Sequence, residues 1–169
     1  MMHDDLLIKI LTFAFFAKKM KLRIAVAESC TSGKLADLLT SLAGSSTWFD
    51  MGLVCYSNWS KKSVLGVSST SIEKHGSVSG VVACEMLSGL EKIYLNEQYS
   101  SHLFVSITGI AGPTGGSRHK PKGLVWFGFY TQKETICEKK IFSGSRTQIR
   151  KLAVRWALNR LIFESVRKR

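Results

Sequence analysis

Apolar residues recur along the chain with two alternating periods, and the alternation predicts helices interleaved with buried strands. Residues 6–17 are almost wholly apolar, broken by Lys9. Asp4 and Asp5 precede the run, and Lys18 and Lys19 follow it. Acid first and base last is the order a helix dipole favours. A secretory signal carries its positive charge before the apolar stretch, and a bilayer span needs about 20 apolar residues. Residues 4–20 are therefore expected to form a soluble amphipathic helix whose spare apolar face packs on another subunit. RIAVA at 23–27 reads as a buried strand, followed by ESCTSG and then Leu35, Leu38, Leu39 and Leu42 at helical spacing.

A second strand is predicted over 49–56. Short helical pieces follow at 58–65 and 71–75, stopped by Gly66 and Gly76. Val78 and Ser79 open a longer helix to about Leu95, with Val82, Met86, Leu90 and Ile93 on one face. LFVSI at 103–107 is a buried strand running into TGIAGPTGG. Residues 123–130 and 135–142 pair as a hairpin around Gln132 and Lys133. Ser145 and Gln148 form an S-x-x-Q capping box. The helix it opens carries a stripe of Ile149, Leu152, Ala153, Trp156, Ala157 and Leu161. The sum is an α/β chain, a three-layer α/β/α sandwich on a mixed, mostly parallel central sheet. Residues 1–169 are read as one domain, with a core over 23–165.

Composition changes this picture little. The chain has 169 residues, 45% of them hydrophobic and 21% charged, a globular mix with no linker or repeat. Its net charge of +12 admits nucleic acid, an anionic membrane or a phosphorylated small substrate. The cations gather at Lys18, Lys19, Lys21 and Arg23, at 118–122 and at 167–169, without the interleaved aromatics that stack bases. Nucleic acid is therefore disfavoured as the main partner, and no membrane role is expected. Cys30, Cys55, Cys84 and Cys137 show neither CxxC nor zinc-ligand spacing. Buried free thiols in a reducing cytoplasm are the simple expectation. No metal and no cofactor are expected.

Four segments carry candidate chemistry, each beside a plain structural reading. Ser29 stands at a strand end facing a helix start, where free N–H groups can hold an oxyanion; the same hydroxyls can simply cap the helix, with Thr31 or Ser32 as N-cap. Lys61 can serve as a base if desolvated, or be one more solvated lysine. Among the four histidines, only His75 beside Gly76 has a context that admits a role. The glycine-rich run 108–117 lets backbone approach a ligand or makes a tight connection; it lacks the closing Gly-Lys of a phosphate loop. Arg146 opens a helix where its charge opposes the dipole. That suits a grip on an anion, or a depressing influence on Lys61.

Jointly and in order, six segments resemble the CinA carboxy-terminal domain family. AESCTSGKLADLL is similar to its AESCTGG opening, and GSSTWFDMGLVCYSNWSKKSVLGV to its GSS…F…G…YSN-x-x-K…LGV stretch. KHGSVS, SITGIAGPTGG, KPKGLVWFGF and FSGSRTQIR resemble its HGxVS, TGIAGPxGG, KPxGxVW and FxGxRxxxR segments. The resemblance implies deamidation of nicotinamide mononucleotide to nicotinate mononucleotide and ammonia, in a homo-oligomer without cofactor. It puts the nucleophile on Ser29, the base on Lys61 and supporting roles on Tyr56, Thr108 and Arg146. Thr31, Ser32, Gly33, Asn58, Gly109, Gly112, Gly115 and Gly116 become expected substrate contacts. Cys30 is a rival nucleophile beside Ser29. Ser32 stands where the family has glycine, and Ser145 where it has aspartate. Those two departures support an alternative, an impaired regulatory or binding member linked to competence or DNA damage.

Overall fold

A computed structural model describes residues 2–94, 102–131 and 134–167. The helices are α1 (Met2–Lys19), α2 (Lys34–Thr40), α3 (Asn58–Leu65), α4 (Ser69–His75), α5 (Gly80–Ile93) and α6 (Arg146–Arg167). The strands are β1 (Arg23–Glu28), β2 (Phe49–Val54), β3 (His102–Gly109), β4 (Leu124–Tyr130) and β5 (Thr135–Ile141). They form one sheet in the order β2-β1-β3-β4-β5. β1 runs parallel to β2 and β3, whereas β4 is antiparallel to both β3 and β5. Four of the five strands thus point one way, as a mixed, mostly parallel sheet requires.

Side chains alternate across β1 and so build two different layers. Ile24 and Val26 join Val105, Ile107, Phe127 and Phe129 under α1, α2 and α6. Ala25 and Ala27 face Val82, Met86 and Leu90 of α5 on the other side. Small residues there let α5 lie close to the sheet. Close approach recurs where α5 crosses the end of α3, because a Cβ on Gly89 would fall 1.9 Å from the Leu65 carbonyl oxygen. Only glycine permits that crossing.

The expected helix at 4–20 forms and reaches back to Met2. Its inner face buries Ile10, Phe13, Ala14 and Ala17, while Leu7, Ile8, Leu11 and Phe15 are exposed. Among the described residues no helix is long and apolar enough to cross a membrane. Two stripe assignments need correction. Leu152 is exposed because Val154 and Leu158 carry the burial beside Ile149, Ala153, Ala157 and Leu161. Ile93 is likewise exposed at the last turn of α5. Leu95 and the hairpin turn at Gln132 and Lys133 lie outside the described residues.

The expectation of four free thiols is also corrected. Cys84 and Cys137 form a disulfide, with Cα atoms 6.3 Å apart. They lie 53 residues apart in sequence, and meet because α5 packs across β4 and β5. Cys30 and Cys55 are free and buried.

Gly89→Ala is expected to lower the unfolding free energy by about 2 kcal/mol, because backbone rather than a flexible side chain must move. Urea unfolding of this variant should shift the midpoint at constant m-value.

Candidate active site

β1 and β3 run side by side and in the same direction, and the chain leaves β1 for β2 over one face and returns to β3 over the other. Such a switch in strand order opens a crevice beyond the carboxyl ends of the strands. Ser29 stands at that point. Its amide donates to the Ile107 carbonyl at 2.9 Å, and the Glu28 carbonyl accepts from Cys55 at 2.8 Å, so both neighbouring strands fix the end of β1.

The chain then turns sharply. Ser32 has φ 51° and Gly33 φ 83°, two consecutive left-handed residues. For serine this conformation costs about 1–2 kcal/mol. The expected N-cap at Thr31 or Ser32 is not formed; Gly33 occupies the cap position without a side-chain bond. Glu28 does the work instead. Its buried carboxylate accepts from the amides of Leu35 at 3.1 Å and Ala36 at 2.8 Å. A carboxylate is a stronger acceptor than a hydroxyl at a positive helix end. The helix amides expected to face an oxyanion are therefore taken, and Thr31 turns inward, its Oγ1 without a hydrogen-bond partner among the described residues.

α3 brings the amine. Ser57 and Ser60 exchange side-chain and backbone bonds in a capping box, and Gly66 ends the helix in the left-handed region. Helical side chains lean toward the N-terminus. Lys61 consequently reaches back over the first turn, to 3.1 Å from the Cys55 carbonyl oxygen and 3.0 Å from that of Tyr56. Its Nζ is 2.9 Å from Ser29 Oγ. Lys61 is 2% exposed, so it is not the solvated lysine that its type suggests. Burial pushes its pKa below the ordinary 10.5, against smaller opposing effects from Cys55 and Cys30. The Arg146 cation, expected to help, is not among the causes.

Arg146, the first residue of α6, donates to the Gly112 carbonyl at 2.8 Å and to the Tyr56 hydroxyl at 2.9 Å. The Ser145–Gln148 capping box predicted from sequence starts this helix. Thr108 Oγ1 donates to the Ser77 carbonyl at 2.8 Å, tying β3 to the loop before α5.

A cleft of about 160 Å³ is lined by Ser29, Tyr56, Lys61, Thr108 and Arg146, together with Gly109 and Ala111. Cys30, Ser77 and Val78 complete its wall. All five residues expected to do chemistry thus share one cavity. Of the eight expected substrate contacts, only Gly109 lines it. Thr31 is inside the protein, Ser32 is exposed, Gly33 is spent as the helix cap and Asn58 lies at the exposed start of α3. Gly112 enters only through its carbonyl, bound to Arg146. The loop folds back on itself through Ser117 to Lys120 and Gly123 to Ile110 bonds, which leaves Gly115 and Gly116 out of the cleft. His75 does not line it either; its carbonyl accepts from Lys120. Ser77 and Val78 were missed, although their motif KHGSVS stood out. Glu28 was missed because a cap is sought beside the helix, not on the preceding strand. Among the described residues no group of three or more His, Cys, Asp or Glu is arranged to hold a metal.

Residues 11–164 match the model of the CinA C-terminal domain. The chain belongs to the CinA C-terminal domain family. Within it, the chain is 45% identical over 139 residues to the nicotinamide-nucleotide amidohydrolase PncC of Escherichia coli K12, covering 82% of this chain and 81% of that protein. It is 44% identical over 146 residues to a CinA-like protein of Petrotoga mobilis, and spans 35% of that longer relative's length. Among solved structures, competence damage-inducible protein A of Klebsiella pneumoniae superimposes with a TM-score of 0.87 at 29% identity, over 95% of this chain and 97% of that one. CihA of Agrobacterium tumefaciens gives 0.86 at 34% identity, over 95% of each chain. The mixed α/β fold is the one these family members share.

Burial raises the Cys30 thiol to about 12 and pushes Cys55 upward as well. At pH 8 a thiol raised in this way is held in its neutral, unreactive form. Iodoacetamide at pH 8 is therefore expected to leave both residues unmodified in the folded protein and to label both in denaturant, as read by peptide mass spectrometry.

Proposed function

We propose that this chain is an amidohydrolase that converts nicotinamide mononucleotide to nicotinate mononucleotide and ammonia through Ser29 and Lys61. The observation that carries the reading is the 2.9 Å approach of a buried lysine amine to a serine hydroxyl at the crevice of the sheet. The 45% identity to an E. coli protein named for this activity supplies the substrate class.

A neutral amine has two N–H bonds and one lone pair. The Cys55 and Tyr56 carbonyls take the two N–H bonds, which leaves the lone pair for the Ser29 hydroxyl. Ser29 Oγ attacks the carboxamide carbon while its proton passes to Lys61. The carbonyl oxygen becomes an oxyanion. With the Leu35 and Ala36 amides held by Glu28, the amide of Cys30, a residue that lines the cleft, is assigned as a donor for it. Protonated Lys61 then gives its proton to the departing nitrogen, and ammonia leaves an acyl-Ser29. Water attacks the ester, Lys61 takes a proton from it, and the carboxylate departs as Ser29 regains its hydrogen.

Ser29 rather than Cys30 is taken as nucleophile because the Lys61 amine meets the Ser29 hydroxyl, while burial raises the Cys30 thiol and disfavours the reactive thiolate. Arg146, held by Tyr56 and Gly112 at the rim, supplies a cation for the substrate phosphate. The net charge of +12 favours approach of such an anion.

Purified protein incubated with nicotinamide mononucleotide should release ammonia, and Ser29→Ala and Lys61→Met should each lower kcat by at least about 10³-fold while remaining folded. No release from the wild type, or retention of kcat in either variant, refutes the assignment.

The pH dependence has a definite sign. Lys61 acts only when neutral, and burial shifts its pKa down from 10.5. kcat/KM should therefore rise with pH and level off at a midpoint below 10.5 that vanishes with the lysine.

A further inference from the structure

Arg150 lies one helical turn after Arg146 on α6 but does not line the cleft. Its Nη2 donates to the Thr31 carbonyl at 3.0 Å, and its Nε is buried without a hydrogen-bond partner among the described residues. We propose that Arg150 is a positioning residue: by holding the Thr31 carbonyl it locks the left-handed turn after Ser29 and thereby aims the Cys30 amide at the reacting carbonyl.

The chain of constraint runs through two peptide planes. The Thr31 carbonyl and the Ser32 N–H belong to the first. Arg150 holds its oxygen, and the Ser29 carbonyl accepts its N–H at 3.1 Å. The Ser29 carbonyl belongs to the second plane, together with the Cys30 N–H. In a trans peptide these two groups point in opposite directions. Holding the Ser29 carbonyl against Ser32 therefore turns the Cys30 amide the other way, and Cys30 lines the cleft together with Ser29.

An anchor is needed here because Ser32, at φ 51°, occupies a conformation suited to glycine. The other bond to the Thr31 carbonyl, from the Lys34 amide, is longer at 3.3 Å and uncharged. A guanidinium donor is the stronger of the two. These two arginines, one turn apart at the start of α6, thus divide their work. Arg146 reaches the cleft rim, and Arg150 fixes the backbone behind the nucleophile. The catalytic consequence rests on the amidohydrolase reading; the structural one does not.

The test compares Arg150→Met, Arg150→Lys and the double variant Arg150→Met with Ser32→Gly. Amide hydrogen exchange at Ser32 is followed by NMR, and kcat and KM by ammonia release from nicotinamide mononucleotide. Arg150→Met should speed Ser32 exchange by about tenfold or more and lower kcat by about 10- to 100-fold, with KM within about threefold of the wild type. Arg150→Lys should keep kcat within about threefold, and Ser32→Gly should restore part of the loss in the double variant. Unchanged Ser32 exchange, or a raised KM with kcat retained, overturns the proposal. Should Arg150→Met not fold, Arg150→Gln is read by the same two criteria. A wild type inactive on the mononucleotide, with exchange still raised in the variant, rejects the amidohydrolase reading and leaves the positioning role standing. An active wild type with unchanged exchange does the reverse.

Discussion

A lysine amine is tolerated inside a protein only when its N–H bonds find acceptors, and the Lys61 amine has three oxygen neighbours, Ser29 Oγ and the carbonyls of Cys55 and Tyr56. Three neighbouring elements bring the Lys61–Ser29 contact about. β2 ends so that two successive carbonyls, of Cys55 and Tyr56, converge on one nitrogen. The serine capping box starts α3 at the next residues, which sets Lys61 one turn in and pointed back toward them. β1, clamped between β2 and β3, holds Ser29 at the matching height. The lowered pKa of the lysine follows from its enclosure.

The turn after Ser29 shows how strain and charge are balanced around that contact. Two left-handed residues bring the chain from β1 into α2 within a few residues. A helix start that close to the sheet exposes amides, and the Glu28 carboxylate neutralises two of them from below. Arg150 steadies the turn from α6. Anchors on two separate elements, β1 and α6, therefore hold the short connection between β1 and α2. Rigid support of this kind is what an oxyanion site requires, because its donors must be in position before charge develops. The substitution of serine for the usual glycine at position 32 is accommodated by these anchors rather than by the turn itself.

The layers were legible in the sequence because burial period reports secondary structure directly. RIAVA, LFVSI and GLVWFGF are strands in the structure, and Gly66, Gly76 and the Ser145–Gln148 pair mark helix ends where expected. The site was legible through motif order, since residue type alone leaves Ser29 a cap and Lys61 a surface cation. What escaped was set by tertiary contact. Glu28 caps a helix from seven residues upstream, which no local pattern encodes. Cys84 and Cys137 share no spacing rule and meet only because α5 lies across β5. The glycine-rich run admits either a ligand approach or a tight connection; its strand-proximal Gly109 and Ala111 line the cleft, and the rest folds back through the Ser117–Lys120 and Gly123–Ile110 hydrogen bonds.

The most direct measurement is an NMR titration of the Lys61 side chain in the resting protein, assigned by comparison with Lys61→Met. A single lysine resonance that loses its proton below the ordinary value of 10.5, and that disappears in the variant, is the expected result. A Lys61 amine that stays protonated up to or beyond 10.5 contradicts the account, because a permanently charged ammonium has no lone pair with which to activate Ser29.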